Sequence, residues 1–284
     1  MPPITPDVRR ERRSVATMKD SWESGDSYEY YMGRWSRRVA ESFIEWLAPS
    51  SGLKWLDIGC GSGALSEAII NHCEPAALTA IDHSEDFVRT AQKRLGSRAH
   101  CRIGNALALP LDNASVNMAV SGLVLNFIPE PEKALSEMRR VTVAGGTAAV
   151  YIWDYAGKMD FLRHFWDAAV DIKTEASTLH ESKRFPDANA GALKTLFEKA
   201  GFVDIDTKSI EMITLFRDFD DYWKPFLGGQ GPAPSFVMSL NDDQKNMLRK
   251  TLKTRLPIDP DGAIAMAARA WAVKGQISQR SKPN

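Results

Sequence analysis

A buried strand that runs directly into three closely spaced glycines constrains this chain more than any other feature. The run WLDIGCGSGALSEAI places apolar residues before Gly59, Gly61 and Gly63, and a helical pattern after them. Glycine lets the backbone turn tightly and approach a ligand closely, and the first turn of a helix presents unpaired N–H groups. The sequence therefore predicts a cofactor loop at the end of a strand, with a tight turn that binds no ligand as the alternative.

The region around this loop alternates short apolar runs with helical stretches near 64–71, 85–95 and 131–141. The apolar runs are KWLDIG, ALTAID, AHCRIG, VNMAVSG and TAAVYIW. Nearly continuous apolar runs are typical of strands that are buried on both faces, and strand–helix alternation favours a parallel sheet. We therefore predict an α/β fold with a Rossmann-like, seven-stranded, mostly parallel sheet, helices on both faces, an antiparallel C-terminal hairpin and a helical cap formed by insertions.

The regular alternation of strands and helices does not continue before or after this region. Amphipathic helices are predicted in SRRVAESFIEWLA and at 161–172, 190–200 and 242–255, and the last two strand-like runs are GFVDIDTKSIEMITLF and AIAMAARAWAVKG. The resulting division is a polar tail at 1–27, a cofactor-binding core at 28–159, a cap insertion at 160–187, a continuation of the core at 188–218, a lid insertion at 219–257, and a final strand and tail at 258–284.

Composition narrows the function classes. The 36 basic and 36 acidic residues cancel, so no overall field attracts nucleic acid or an anionic membrane. No run reaches the roughly 18 apolar residues of a membrane span. The three cysteines lack zinc-site spacing, and no acidic pair or histidine cluster has metal-ligand spacing. We expect a cytoplasmic monomer or homodimer with no metal, membrane or nucleic-acid partner.

Polar residues at the predicted strand ends suggest which cofactor the loop binds. The spacing G-x-G-x-G differs from the G-x-G-x-x-G of dinucleotide sites, which disfavours a nicotinamide oxidoreductase. Asp57 just before the first glycine suits a cationic amine better than a pyrophosphate. Asp82 ends the second strand and can accept hydrogen bonds from ribose hydroxyls, although it can also cap the next helix. Asn105 after the third strand can meet an adenine edge.

These motifs resemble those of class I S-adenosylmethionine-dependent methyltransferases, in the branch similar to ubiquinone-biosynthesis and small-molecule enzymes. The resemblance covers roughly Tyr28 to Trp153. It matches Asp57 and the glycines to the family's first motif, Asp82 to its ribose acid, and the stretch 104–106 to its G-D-A adenine motif. Asn105 stands where the family usually has Asp, which keeps a hydrogen-bond acceptor but loses the charge.

Two further segments carry the resemblance. The stretch from Ser121 to Phe127 resembles the part of the family that lies beneath the methionine of the cofactor, but no histidine base occurs in it. In YMGRWS, Arg34 is predicted to pair with the methionine carboxylate, and Tyr31 or Trp35 to cover the sulfonium by a cation–π contact of about 0.5–2 kcal/mol.

The resemblance implies S-adenosylmethionine as cofactor and S-adenosylhomocysteine as product. The residues expected to bind it are Tyr31, Arg34, Trp35, Asp57, Gly59, Cys60, Gly61, Gly63, Asp82, His83, Gly104, Asn105, Ala106, Ser121 and Leu123. Cys60 lies between two glycines with no base at a readable spacing, so it is interpreted as a small loop residue and not as a nucleophile.

The acceptor is expected to lie between the fifth strand and the predicted cap. Trp153 and Tyr155 follow that strand and are candidates for catalysis or core packing, and His164 is a candidate proton acceptor. Residues expected to contact substrate are Asn126, Trp153, Tyr155, Trp223 and Phe226. We expect methyl transfer to an O, N or C nucleophile of a small molecule by in-line displacement. The alternatives are a protein or peptide acceptor, and a cofactor-binding protein without catalysis.

Overall fold

The computed structural model describes residues 32–228 and 231–279. Its strands are β1 (Lys54–Ile58), β2 (Ala77–Asp82), β3 (His100–Ile103), β4 (Val116–Gly122), β5 (Thr142–Trp153), β6 (Val203–Phe216) and β7 (Ile264–Gln276). Its helices are α1 (Arg34–Leu47), α2 (Ala64–Cys73), α3 (Glu85–Leu95), α4 (Pro131–Val141), α5 (Asp160–Ile172), α6 (Glu181–Arg184), α7 (Ala190–Lys199), α8 (Phe219–Trp223), α9 (Pro232–Met238) and α10 (Asp242–Arg255).

The seven strands form one sheet in the order β3-β2-β1-β4-β5-β7-β6. The first five in this order are mutually parallel, and β7 pairs antiparallel with both β5 and β6. The predicted fold class, including the antiparallel C-terminal hairpin, is confirmed. The strand order reverses on either side of β1, and such switch points are where open α/β sheets bind ligands beyond the carboxyl ends of their strands.

Alternating side chains of β1 supply the two faces of the sheet with separate cores. Trp55 belongs to the cluster that includes α1 and α5, whereas Leu56 and Ile58 belong to the cluster beneath α4 and α7. A strand covered on both faces needs apolar residues at consecutive positions, which explains why the strand runs showed no alternation.

The helices begin and end close to the predicted bounds because their capping signals are local. Ser84 accepts a hydrogen bond from the Phe87 N–H at the start of α3, and Asn241 forms a capping box with Gln244 at the start of α10. The short helices α6, α8 and α9 were not predicted, since each spans at most seven residues and carries too few turns for a periodic pattern.

The segments predicted as cap and lid pack on each other through aromatic rings. Phe165 of α5 stacks on Phe226 with ring centroids 4.4 Å apart, and Trp166 contacts Phe236 of α9 at 5.7 Å. The Tyr222 hydroxyl donates to the backbone carbonyl of Phe161 at 2.9 Å. These contacts join α5 to α8, to Phe226 and to α9 beside the sheet. None of the helices in the described part of the chain has the length and apolar character needed to cross a bilayer.

Candidate cofactor site

The glycine loop lies where the sequence places it, between the end of β1 and the start of α2. Gly59 has a φ of +71°, and a Cβ atom there would lie 2.7 Å from Cγ1 of Val124. The N–H groups of Gly59 and Cys60 both donate to the Ile81 carbonyl, at 2.8 and 2.9 Å. The loop is therefore tied to the tip of β2, and only glycine fits at its first turn.

Asp57 is completely buried at the base of this loop. Its Oδ2 accepts a hydrogen bond from the Ser66 hydroxyl at 2.7 Å, while Oδ1 has no hydrogen-bond partner among the described residues. Burial, as the main cause, raises the pKa of this carboxyl to about 7. A buried carboxylate with an unsatisfied oxygen is costly in the isolated protein, and a nearby cation would offset that cost.

Asp82 ends β2 and organises the loop from the neighbouring strand. Its Oδ2 accepts from the Gly61 N–H at 3.0 Å, and its Oδ1 accepts from the Ser84 N–H at 2.9 Å. The imidazole Nδ1 of His83 lies 3.3 Å from Oδ1, and this hydrogen bond raises the pKa of the largely exposed His83. The contact with Ser84 lies in the turn before α3, whose N-cap is Ser84 itself, so Asp82 is not the helix cap and its carboxylate lines the cavity.

A cavity of about 160 Å³ opens beside these two acids. Its lining comes from the glycine loop, from the ends of β4 and β5, and from the segments predicted as cap and lid. Lining residues that the sequence analysis named are Asp57, Gly59, Cys60, Gly61, Asp82, His83, Leu123, Trp153 and Tyr155. Others that it did not name as binding residues include Met32, Ser36, Phe127, Tyr151, Leu162, Glu181, Arg184 and Pro232.

Cys60 contributes a thiol that stays protonated. Burial is the main cause that raises its pKa well above the ordinary value, and the nearby Asp57 and Asp82 raise it further. A thiol held in the neutral form is a poor nucleophile, which supports its interpretation as a small loop residue.

The residues named in the segment YMGRWS do not line the cavity where the segment is described. Tyr31 lies outside the described residues. Arg34 pairs through Nη1 with Asp221 at 3.1 Å, and its guanidinium lies above the rings of Trp35 and Phe216. Trp35 is buried against Phe216 in an edge contact at 5.5 Å. Both side chains join α1 to β6 and α8 in this structure and neither lines the cavity.

The predicted adenine segment also lies beside the cavity and outside its lining. Asn105 is exposed, and its Oδ1 accepts the Leu107 N–H at 2.9 Å in a local turn, so its amide carbonyl is already engaged. Gly104 donates its N–H to the Asp82 carbonyl at 2.9 Å, and Ala106 packs against the core beneath α4. Gly63 begins α2 at a φ of +92° without reaching the lining.

Ser121 and Asn126, which the sequence places near the cofactor and the acceptor, do not line the cofactor cavity. The Ser121 hydroxyl donates to the Ile58 carbonyl at 2.7 Å and joins β4 to β1 inside the sheet. Asn126 lies in a 3₁₀ turn (Leu125–Phe127) and lines a separate cavity between α4 and α7. Its amide oxygen and nitrogen have no hydrogen-bond partner among the described residues.

Of the remaining candidates for catalysis and substrate contact, two line the cofactor cavity and three do not. Trp153 and Tyr155 line the cavity. His164 is not in the lining, and burial is the main cause that lowers its pKa. Trp223 and Phe226 are buried in the aromatic contacts that join α8 to α5, and neither lines the cavity.

The donors and acceptors at the loop fit a sulfonium nucleoside. Asp57 offers a carboxylate oxygen without a partner in the described structure, and Asp82 offers a carboxylate beside the loop. A Cβ at Gly61 would have no heavy atom within 4 Å, so the backbone there borders open space. Asp57 and Asp82 would hold the cationic methionine part and the ribose hydroxyls.

Comparisons with known proteins agree with this geometry. Residues 56–150 match a family model described as a methyltransferase domain. The chain is 28% identical over 217 residues to the demethylmenaquinone methyltransferase of Staphylococcus aureus, a match that covers 71% of this chain and 87% of that protein.

Solved structures share the fold at low sequence identity. The phosphoethanolamine N-methyltransferase 2 of Haemonchus contortus, crystallised with phosphomonomethylethanolamine and S-adenosylhomocysteine, has a TM-score of 0.54 at 15% identity over 90% of this chain and 57% of that one. The [4+2]-cyclase SpnF has a TM-score of 0.55 at 17% identity over 95% of this chain and 93% of that one. Together with the glycine loop and its two acids, the domain match and the methyltransferase relatives identify this chain as a class I S-adenosylmethionine-dependent methyltransferase.

Proposed function

We propose that the methyl acceptor is a small molecule with an apolar, flat portion, and that a nucleophilic O, N or C atom of it is methylated by in-line displacement. The observation that carries this proposal is the composition of the cavity. The glycine loop with Asp57 and Asp82 borders one part of it, while Phe127, Trp153 and Tyr155 border another. A space that joins charged and aromatic lining in this way suits a cationic donor beside an apolar acceptor.

The bound cofactor supplies a methyl group on a positively charged sulfur. The contribution of this chain is to hold and orient both molecules. Asp57 stabilises positive charge, Asp82 holds the sugar, and the backbone at Gly61 leaves room for close approach. The apolar cap segments reduce the access of water to the reacting atoms. Holding two reactants in line at near-attack distance accelerates such a transfer without a catalytic triad.

The name of the curated relative supports a small acceptor. Demethylmenaquinone, which the name of the Staphylococcus aureus protein gives as its substrate, is a small molecule. The aromatic lining at the end of β5 would suit an acceptor with a flat, apolar portion.

Two alternatives are distinguished by experiment. A protein or peptide acceptor is compatible with the zero formal net charge of the chain, which disfavours only nucleic acid. A different reaction on the same fold is illustrated by the [4+2]-cyclase among the solved structures, since a fold hosts many chemistries.

Transfer of radiolabelled methyl from S-adenosylmethionine to a fractionated bacterial extract tests the proposal. The expected result is label in the organic-soluble small-molecule fraction, and none with a Gly61→Val variant that blocks the loop. Label confined to the protein or RNA fraction would contradict a small-molecule acceptor. The absence of label in every fraction, with cofactor binding intact, would favour the non-catalytic alternative.

A further inference from the structure

A third carboxylate reaches the cofactor cavity from the segment between α5 and α7. Glu181 begins the short helix α6, is 5% exposed, and lines the cavity. Its Oε2 accepts the indole N–H of Trp166. Glu181 lies in the polar run ESKR, where an acidic residue usually lies in solvent, so no local sequence signal predicts its place in the cavity.

The hydrogen-bond donor to Glu181 is fixed in place. Trp166 is completely buried, and its ring lies 5.1 Å from Phe165 and 5.7 Å from Phe236 between centroids. A carboxylate oriented by a packed indole has little freedom to turn. Such support holds a functional group in one geometry.

The neighbours of Glu181 in the cavity are aromatic and cationic. Arg184, one helical turn later, lines the same cavity, and its guanidinium lies 5.0 Å from the ring of Phe185. Phe185 in turn lies 5.1 Å from Phe127 and 5.5 Å from Tyr155. Of these rings, Phe127 and Tyr155 line the cofactor cavity, whereas Phe185 packs against them and lines the neighbouring cavity. The cofactor cavity therefore combines aromatic rings with the carboxylate of Glu181 and the guanidinium of Arg184.

Glu181 is the carboxylate of the cavity lining that is left for the acceptor, because Asp57 and Asp82 are assigned to the cofactor. A buried carboxylate favours a hydrogen-bond donor or a cation and repels another anion.

We propose that Glu181 recognises the acceptor by taking a hydrogen bond from its N–H or O–H group, while the apolar body of the acceptor lies against Phe127 and Tyr155. The substrate class is thus an aromatic or otherwise flat molecule that carries an amine or a hydroxyl group. This proposal rests on the proposed function, because it assigns the acceptor to the cavity that holds the cofactor.

The test uses the full chain saturated with S-adenosylhomocysteine and three probes that share one ring and differ in the head group. These are phenethylamine, 2-phenylethanol and phenylacetate, with dissociation constants measured by calorimetry. We expect the amine, the alcohol or both to bind more tightly than phenylacetate. A tighter amine indicates a nitrogen acceptor, and a tighter alcohol indicates an oxygen acceptor.

Glu181→Gln separates recognition from folding, because the glutamine carbonyl can still accept the Trp166 N–H. Removing the charge should lower the preference for amine over phenylacetate by about tenfold, since charge-assisted hydrogen bonds are the stronger ones. Glu175→Gln, an equivalent change at an exposed position of a neighbouring turn, should leave the preference unchanged.

Three results would overturn the proposal: tighter binding of phenylacetate by the wild type, an unchanged preference in Glu181→Gln, or binding of S-adenosylhomocysteine with none of the probes bound. Failure to bind S-adenosylhomocysteine would instead refute the cofactor assignment on which the proposed function depends.

Discussion

Replacing Asp57 by Asn should change the pH dependence of stability in a predictable direction. The pKa of Asp57 is about 7 in the folded protein, against an ordinary value of 3.8, chiefly because of burial. The folded state therefore binds more protons than the unfolded state between these two values. Its stabilising contribution is present at low pH and is lost as the pH rises through about 7.

The magnitude follows from the same two pKa values. One pH unit corresponds to about 1.4 kcal/mol, so the protonated carboxyl stabilises the ligand-free protein by ~2.5 kcal/mol more at pH 5 than at pH 8. Asn does not titrate. The free energy of unfolding of the wild type should therefore fall by ~2.5 kcal/mol relative to Asp57→Asn over this range.

Urea denaturation of both proteins without ligand at pH 5, 6, 7 and 8 measures this difference. The amide of Asp57→Asn must accept the hydrogen bond from the Ser66 hydroxyl in place of the carboxyl group. Any cost of this change to stability is the same at every pH, so it cancels when the pH profiles of the two proteins are compared. Glu175→Gln, at an exposed carboxylate, corrects for the general change in net charge. Parallel pH profiles of wild type and Asp57→Asn would refute the argument that burial keeps this carboxyl protonated near neutrality.

Four other changes test separate parts of the account. Asp82→Ala should weaken S-adenosylmethionine binding by ~1–3 kcal/mol in calorimetry, and equal affinity would remove this acid from the site. Gly61→Val should abolish binding, because its side chain would enter the open space beside the loop, while thermal unfolding stays cooperative; normal binding would place the cofactor elsewhere. Arg34→Ala should cost on the order of 1 kcal/mol of stability by removing the partly exposed pair with Asp221, with unchanged cofactor affinity, and a large loss of affinity would restore the predicted carboxylate contact. Phe165→Ala should destabilise the protein by about 3–5 kcal/mol in denaturation experiments, and a loss below 1 kcal/mol would mean that the cap does not pack as a body.

The sheet and the glycine loop were predictable because their signals are local. The central strands β1, β2 and β4 are short, largely apolar runs, and Asp57, Gly59 and Asp82 lie within a few residues of a strand end, where the fold brings them together. The alternation of strand and helix then fixes the side of the sheet on which they meet.

The rest depended on contacts between distant parts of the chain. Arg34 pairs with Asp221, which is 187 positions away, and no local sequence pattern predicts that partner. Glu181 reaches the cavity only because Trp166 and the aromatic cap position α6. Asn105 turns its carbonyl back to Leu107, an arrangement that a motif match does not reveal.

Calorimetric titration of the purified protein with S-adenosylmethionine and S-adenosylhomocysteine, with NAD and NADP as controls, tests the central claim most directly. The account predicts micromolar binding of the two sulfur nucleosides and no binding of the nicotinamide dinucleotides. Binding of NAD or NADP without the sulfur nucleosides would contradict it.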